Sequence, residues 1–135
     1  MMEDKILGHL TYNVGWCKTA VINLWQNEQA ITFRFSCYSS EIPNQEQREA
    51  YIDFNRNIAV FNTQTEHLVK EYIENMFHYT GNSLWTFLTV NEILFFQNGN
   101  YAIICSPKNY DEDIVVLVKN KDIEIGGGYL IEFQL

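Results

Sequence analysis

The spacing of apolar residues changes period twice along this chain, and that change constrains the fold more than any other feature. Before Pro43, large apolar side chains fall on every second position: Leu10, Tyr12, Val14 and Trp16, then Ala20, Ile22 and Leu24, then Ile31, Phe33, Phe35 and Cys37. A period of two is that of a half-buried strand. Thr32, Arg34 and Ser36 then occupy the wet face, and Gln26–Gln29 reads as a polar turn. This N-terminal part is expected to be an antiparallel meander with one face buried.

After Pro43 the period lengthens to that of a helix. Asn44 followed by Gln47 is a capping-box start, with Glu46 and Glu49 placed to complement the positive end of the helix dipole. Ala50, Tyr51, Phe54 and Ile58 recur at three- and four-residue intervals and make an apolar stripe. Thr63-Gln-Thr-Glu66 is a second capping-box pattern, ahead of Leu68, Val69, Tyr72, Ile73, Met76 and Phe77. Two consecutive helices follow from this, over residues 45–60 and 64–78, closed by Gly81. Leu84–Val90 fits a short helix or a strand equally well.

From Ile93 the period returns to two or to short apolar runs: Ile93–Phe96, Tyr101–Cys105, Ile114–Val118, Ile123–Ile125 and Tyr129–Phe133. Asn98-Gly99, Asn120-Lys121 and Gly126-Gly127-Gly128 punctuate these runs as turns. Strands, two helices and more strands in that order predict an α+β fold: the meander, the two helices packed on the sheet, and C-terminal antiparallel strands. Nothing along the chain resembles a linker or a repeat, so residues 1–135 are expected to form one domain.

Composition bounds the function. Aromatics are 15% of the 135 residues, enough to build a substantial core. The N-terminus lacks the basic segment and apolar run of a secretory signal, and no apolar run approaches the ~18 residues of a membrane span. Cys17, Cys37 and Cys105 are an odd, widely spaced set, which suits reduced thiols and a cytoplasmic location. The net charge is −8. Such a surface repels phosphates, so nucleic acid is disfavoured; the acidity either only keeps the protein soluble or forms a face for a basic partner protein.

No pattern of catalysis or metal binding stands out. His9, His67 and His78 share no short spacing with one another or with a cysteine, and one helix through the last two would hold them about 16 Å apart. His67 and Glu71 are spaced as a helix-surface pair. Gly126-Gly127-Gly128 has no following Lys-Ser or Lys-Thr and so lacks the parts of a phosphate loop. The expectation is a chain without cofactor, metal or catalytic residues.

Two acidic features are the candidate partner-binding residues, each with an ordinary solvated helix face or loop as the alternative. Glu46, Glu49 and Asp53 form a stripe on the first helix, about 100° round from the apolar one, with Arg56 tempering it. Asp111, Glu112 and Asp113 form the densest acidic run, in a loop with neither the glycine nor the extra oxygen ligands of a calcium site.

Four stretches taken together carry a resemblance: Leu7-Gly-His-Leu-Thr-Tyr12 with Trp16, the phrase Gln47-Arg-Glu-Ala-Tyr51-Ile-Asp-Phe54 with Asn57, Glu71-Tyr72, and Asp111 through Gly126. The pattern resembles a family of small bacterial domains of unknown function that includes proteins found beside polymorphic or contact-dependent toxins and read as candidate immunity proteins. The chain departs from it at Glu112-Asp113-Ile114, where members carry Glu-His-Gly. The resemblance transfers no catalytic residue. It implies a non-enzymatic binding protein that neutralises a cognate toxin domain. An adaptor or structural domain, and an enzyme or small-ligand binder with a site assembled only in three dimensions, stand beside that reading.

Overall fold

The computed structural model describes residues 1–81, 83–132 and 134. These form an α+β structure whose eight strands lie side by side in sequence order. The strands are β1 (Met2–Asp4), β2 (Gly8–Tyr12), β3 (Trp16–Leu24), β4 (Asn27–Phe35), β5 (Leu88–Phe95), β6 (Tyr101–Pro107), β7 (Ile114–Lys119) and β8 (Asp122–Gly126). Helices α1 (Gln45–Arg56) and α2 (Ile58–Phe77) fall between β4 and β5, and a short α3 (Tyr129–Glu132) follows β8.

All neighbouring strands run antiparallel except β4 and β5, which pair in parallel, Phe33 beside Ile93 and Phe35 beside Phe95. A parallel pair requires a crossover, and the two helices are that crossover. It carries the chain back across one face of the sheet. Against that face lie Ile31, Phe33 and Phe35 of β4, Ile93 and Phe95 of β5, and Tyr101 and Ile103 of β6, with Phe54, Phe61, Val69 and Ile73 from the helices. The opposite face is apolar only over β5–β7, where Ala102, Ile104, Val115 and Leu117 pack under Leu130 of α3.

The start of α1 is the one the capping box predicts. Asn44 Oδ1 accepts from the Gln47 N–H at 2.9 Å, and Gln47 Oε1 accepts from the Asn44 N–H at 2.9 Å. The break between the helices is displaced. It falls at Asn57, whose N–H donates back to the Asp53 carbonyl, and α2 starts at Ile58. Thr63 lies inside α2 and donates its hydroxyl back to the Ala59 carbonyl at 3.3 Å, so it sits in the helix interior and caps nothing. The apolar pull of Phe61, with ring contacts to Phe54 and Tyr101, explains why the helix begins early. It ends at His78 in the left-handed conformation, φ 57°, before Gly81 is reached.

Other boundaries differ for local reasons. The run from Leu10 to Trp16 is broken by a turn at Asn13–Gly15, with Val14 at φ 54° and Gly15 at φ 120°. A side chain at Gly15 would meet the Phe35 carbonyl oxygen at 2.8 Å. The turn expected at Gln26–Gln29 sits at Trp25 and Gln26, both at positive φ, and Glu28 and Gln29 already belong to β4. Leu84–Thr86 is a 3-10 turn and β5 begins at Leu88, so the ambiguous segment contains both conformations. Tyr129–Glu132 is helical where a strand was expected, and Phe133 lies outside the described residues. The Leu130 and Ile131 N–H groups donate to the Gly127 and Gly128 carbonyls, closing a helical turn.

Candidate functional site

On α1, Gln47, Ala50 and Phe54 are buried and Glu46, Glu49 and Asp53 are exposed, so the acidic stripe is a ridge along the open flank of the helix. Glu49 accepts from the Gln45 amide at 2.9 Å. Among the described residues none of the three carboxylates enters an ion pair. Arg48 lies between them in sequence, yet it turns to Asp4, with Nη1 and Nη2 at 2.7 and 2.5 Å from the two carboxylate oxygens. That bidentate contact, aided by the Leu7 and Ile6 N–H groups, holds the Asp4 carboxyl at about 2 against the cost of burial. Arg56 makes no ion pair with Asp53, so the three ridge carboxylates stay unpaired among the described residues.

Asp111, Glu112 and Asp113 are exposed in the β6–β7 loop. They do not join the ridge. Gly99, in the β5–β6 turn, faces the Glu46 side chain, its ideal Cβ position 3.4 Å from Glu46 Cβ. The acidic loop leaves the other end of β6, whose seven residues span about 20 Å. The loop instead lies by the C-terminal half of α2, where Tyr110 packs edge-on against Phe77 at 4.8 Å. Burial, helped by Tyr129 and Glu112, pushes the Tyr72 phenol up there.

Asp53 has a second role in the shape of the surface. It stands on the rim of a cleft of about 580 Å³ between the α1–α2 joint and the β7–β8 hairpin. Tyr101 forms part of its wall and is only 9% exposed. Burial, and then the Asp53 charge, push the Tyr101 phenol up to about 12, so it keeps its proton at neutral pH. Asn57 and Gln64 bring amides to the cleft, and Lys121 stands on the hairpin lip at φ 80°. The Asn120-Lys121 turn was legible in sequence; its position opposite the helix joint was not.

The outer face of the sheet carries a different arrangement. Arg34 Nε and Glu92 Oε2 are 3.3 Å apart across the parallel β4–β5 pair, close enough for an ion pair but misaligned for a hydrogen bond at Nε. Cys17 pairs in register with Arg34, and a polar furrow beside it is lined by His9, Thr11, Thr19 and Thr32. Burial raises the Cys17 thiol, and the Arg34 charge only partly offsets that, so Cys17 is not an activated thiolate. The three cysteines are free, with Cys105 fully buried and its thiol pushed far up by desolvation.

His67 and Glu71 stand 3.9 Å apart on the exposed side of α2, a helix-surface pair. Among the described residues no three His, Cys, Asp or Glu side chains gather as a metal-binding set. No helix among them is long and apolar enough to cross a membrane. The chain matches no family model, no curated protein and no solved structure.

Proposed function

We propose that this chain is a non-enzymatic protein-binding domain that presents the α1 ridge to a basic partner, and that the partner is a toxin domain which it neutralises. The observation that carries this reading is that Glu46, Glu49 and Asp53 are three exposed carboxylates on one helix that enter no ion pair among the described residues, with the nearby Arg48 committed to Asp4. The resemblance to candidate immunity proteins supplies the identity of the partner. Toxins that act on nucleic acid are basic where they hold phosphates, and an inhibitor competes there by offering carboxylates. Such a protein works in the cytoplasm, where its target would act.

Co-expression with the toxin encoded next to its gene tests this. The wild-type protein restores growth and co-purifies with the toxin domain. Growth arrest despite ample expression, with no complex recovered, removes the immunity reading.

A further inference from the structure

We infer that the cleft between the α1–α2 joint and the β7–β8 hairpin is the anchor pocket of that interface and receives an arginine side chain of the basic partner. The inference rests on the protein-binding reading and names what the site takes. Asp53 connects the two features, being both the last carboxylate of the ridge and part of the cleft rim. A partner side chain drawn along the ridge therefore ends at an opening.

The cleft wall is built for a flat, donor-rich cation. Tyr101 is nine-tenths buried and lines the cleft, yet its hydroxyl finds no hydrogen-bond partner among the described residues. That hydroxyl is open to solvent in the cleft, so a donor from a partner can reach it. Its raised phenol stays neutral, so the oxygen can accept a hydrogen bond without adding a second negative charge beside Asp53. The ring is packed against Phe95, Phe54 and Phe61, which fixes where its hydroxyl edge meets the cleft. Asn57 and Gln64 add amide oxygens around it. A guanidinium fills these acceptors with its fixed fork of five donors; an ammonium is a compact, strongly hydrated point charge and fits them less well.

Lys121 opposes a cation from the far lip, and that makes the assignment sharp. Removing it should strengthen binding of an arginine side chain and weaken binding of any anion.

The test is an NMR titration of the isotopically labelled full chain with N-acetyl-arginine amide, with the lysine and glutamate amides as comparisons. The arginine probe should shift amides near Asp53, Gln64, Tyr101 and Lys121 and saturate, with the lysine probe weaker. Asp53→Asn should weaken it by about tenfold, the size of one lost charge-assisted contact. Tyr101→Phe, which keeps the ring and the packing, should weaken it several-fold, and Lys121→Ala should tighten it. Dispersed spectra confirm that each variant is folded. Preference for the glutamate probe, shifts spread evenly over every acidic patch, or indifference to Asp53→Asn and Tyr101→Phe would overturn the pocket. If the arginine probe is silent while the toxin still binds through Glu46 and Glu49, the pocket fails and the protein-binding reading stands.

Discussion

The side-chain amide of Gln47 donates to the Phe95 carbonyl at 2.9 Å, joining the first turn of α1 to the end of β5. The same nitrogen donates to the Ser36 carbonyl at 3.0 Å, just past the end of β4. Gln47 is fully buried, and its oxygen is already taken by the Asn44 N–H. One side chain thus caps its own helix and ties it to the ends of both parallel strands. It also fixes where the ridge begins, because Glu46 is its neighbour.

Replacing Gln47 with Leu should therefore destabilise the protein by about 2–4 kcal/mol, since buried carbonyls and the cap N–H lose their partner together. Denaturant unfolding measures this directly. A loss below half a kcal/mol would mean that water or a rearranged cap replaces these bonds.

The Arg48–Asp4 pair gives a pH-dependent term with a definite sign. The Asp4 carboxyl is held at about 2 in the folded chain, below its unfolded value. Its contribution is present above about pH 4 and is lost as pH falls through the folded value. Allowing for screening, this is on the order of 1 kcal/mol. The stability difference between pH 6 and pH 2 should be smaller in Asp4→Asn than in the wild type. Equal differences would remove the pair from the acid response.

Truncating Phe54 to Ala should cost about 3–5 kcal/mol. Phe54 is 1% exposed and meets the rings of Phe33, Phe61 and Tyr101, so it joins α1, α2 and the sheet. An unchanged denaturant midpoint would contradict its place in the core.

The thiols should separate by burial. Cys17 and Cys37 are half-buried and Cys105 is fully buried. A thiol reagent should label the first two under native conditions and reach Cys105 only on unfolding. Rapid native labelling of Cys105 would mean that β6 opens far more readily than its packing implies.

These particulars show how far the sequence could be read. The alternation of Ile31, Phe33 and Phe35 and the Asn44/Gln47 capping box report local geometry, and both appear where the spacing places them. What was illegible depends on contacts remote in sequence. The Thr63/Glu66 pattern has the residues of a cap, but Phe61 reaches Phe54 and Tyr101 and draws the helix through it. Tyr129–Glu132 is too short for its apolar residues to distinguish a strand from a helical turn. The parallel β4–β5 pair leaves no trace in the period of either strand. For the site, helical spacing was enough to align Glu46, Glu49 and Asp53. The acidic loop's position at the far end of β6, and the cleft that Tyr101 and Lys121 share with Asp53, arise from the order of the strands.

That separation makes the central claim testable by kinetics. The measurement is the association rate with the proposed toxin partner, followed by stopped flow across ionic strength, for two charge-reversed proteins: Glu46, Glu49 and Asp53 changed to Lys, and Asp111, Glu112 and Asp113 changed to Lys. Both reversals change the net charge equally, but the loop lies about 20 Å from the start of the ridge, well beyond the ~8 Å screening length at physiological salt. At that salt the ridge variant should associate at least about tenfold more slowly and lose most of its salt dependence, while the loop variant stays within about twofold of wild type. An unchanged rate for the ridge variant, or an equal loss in both, would contradict the account.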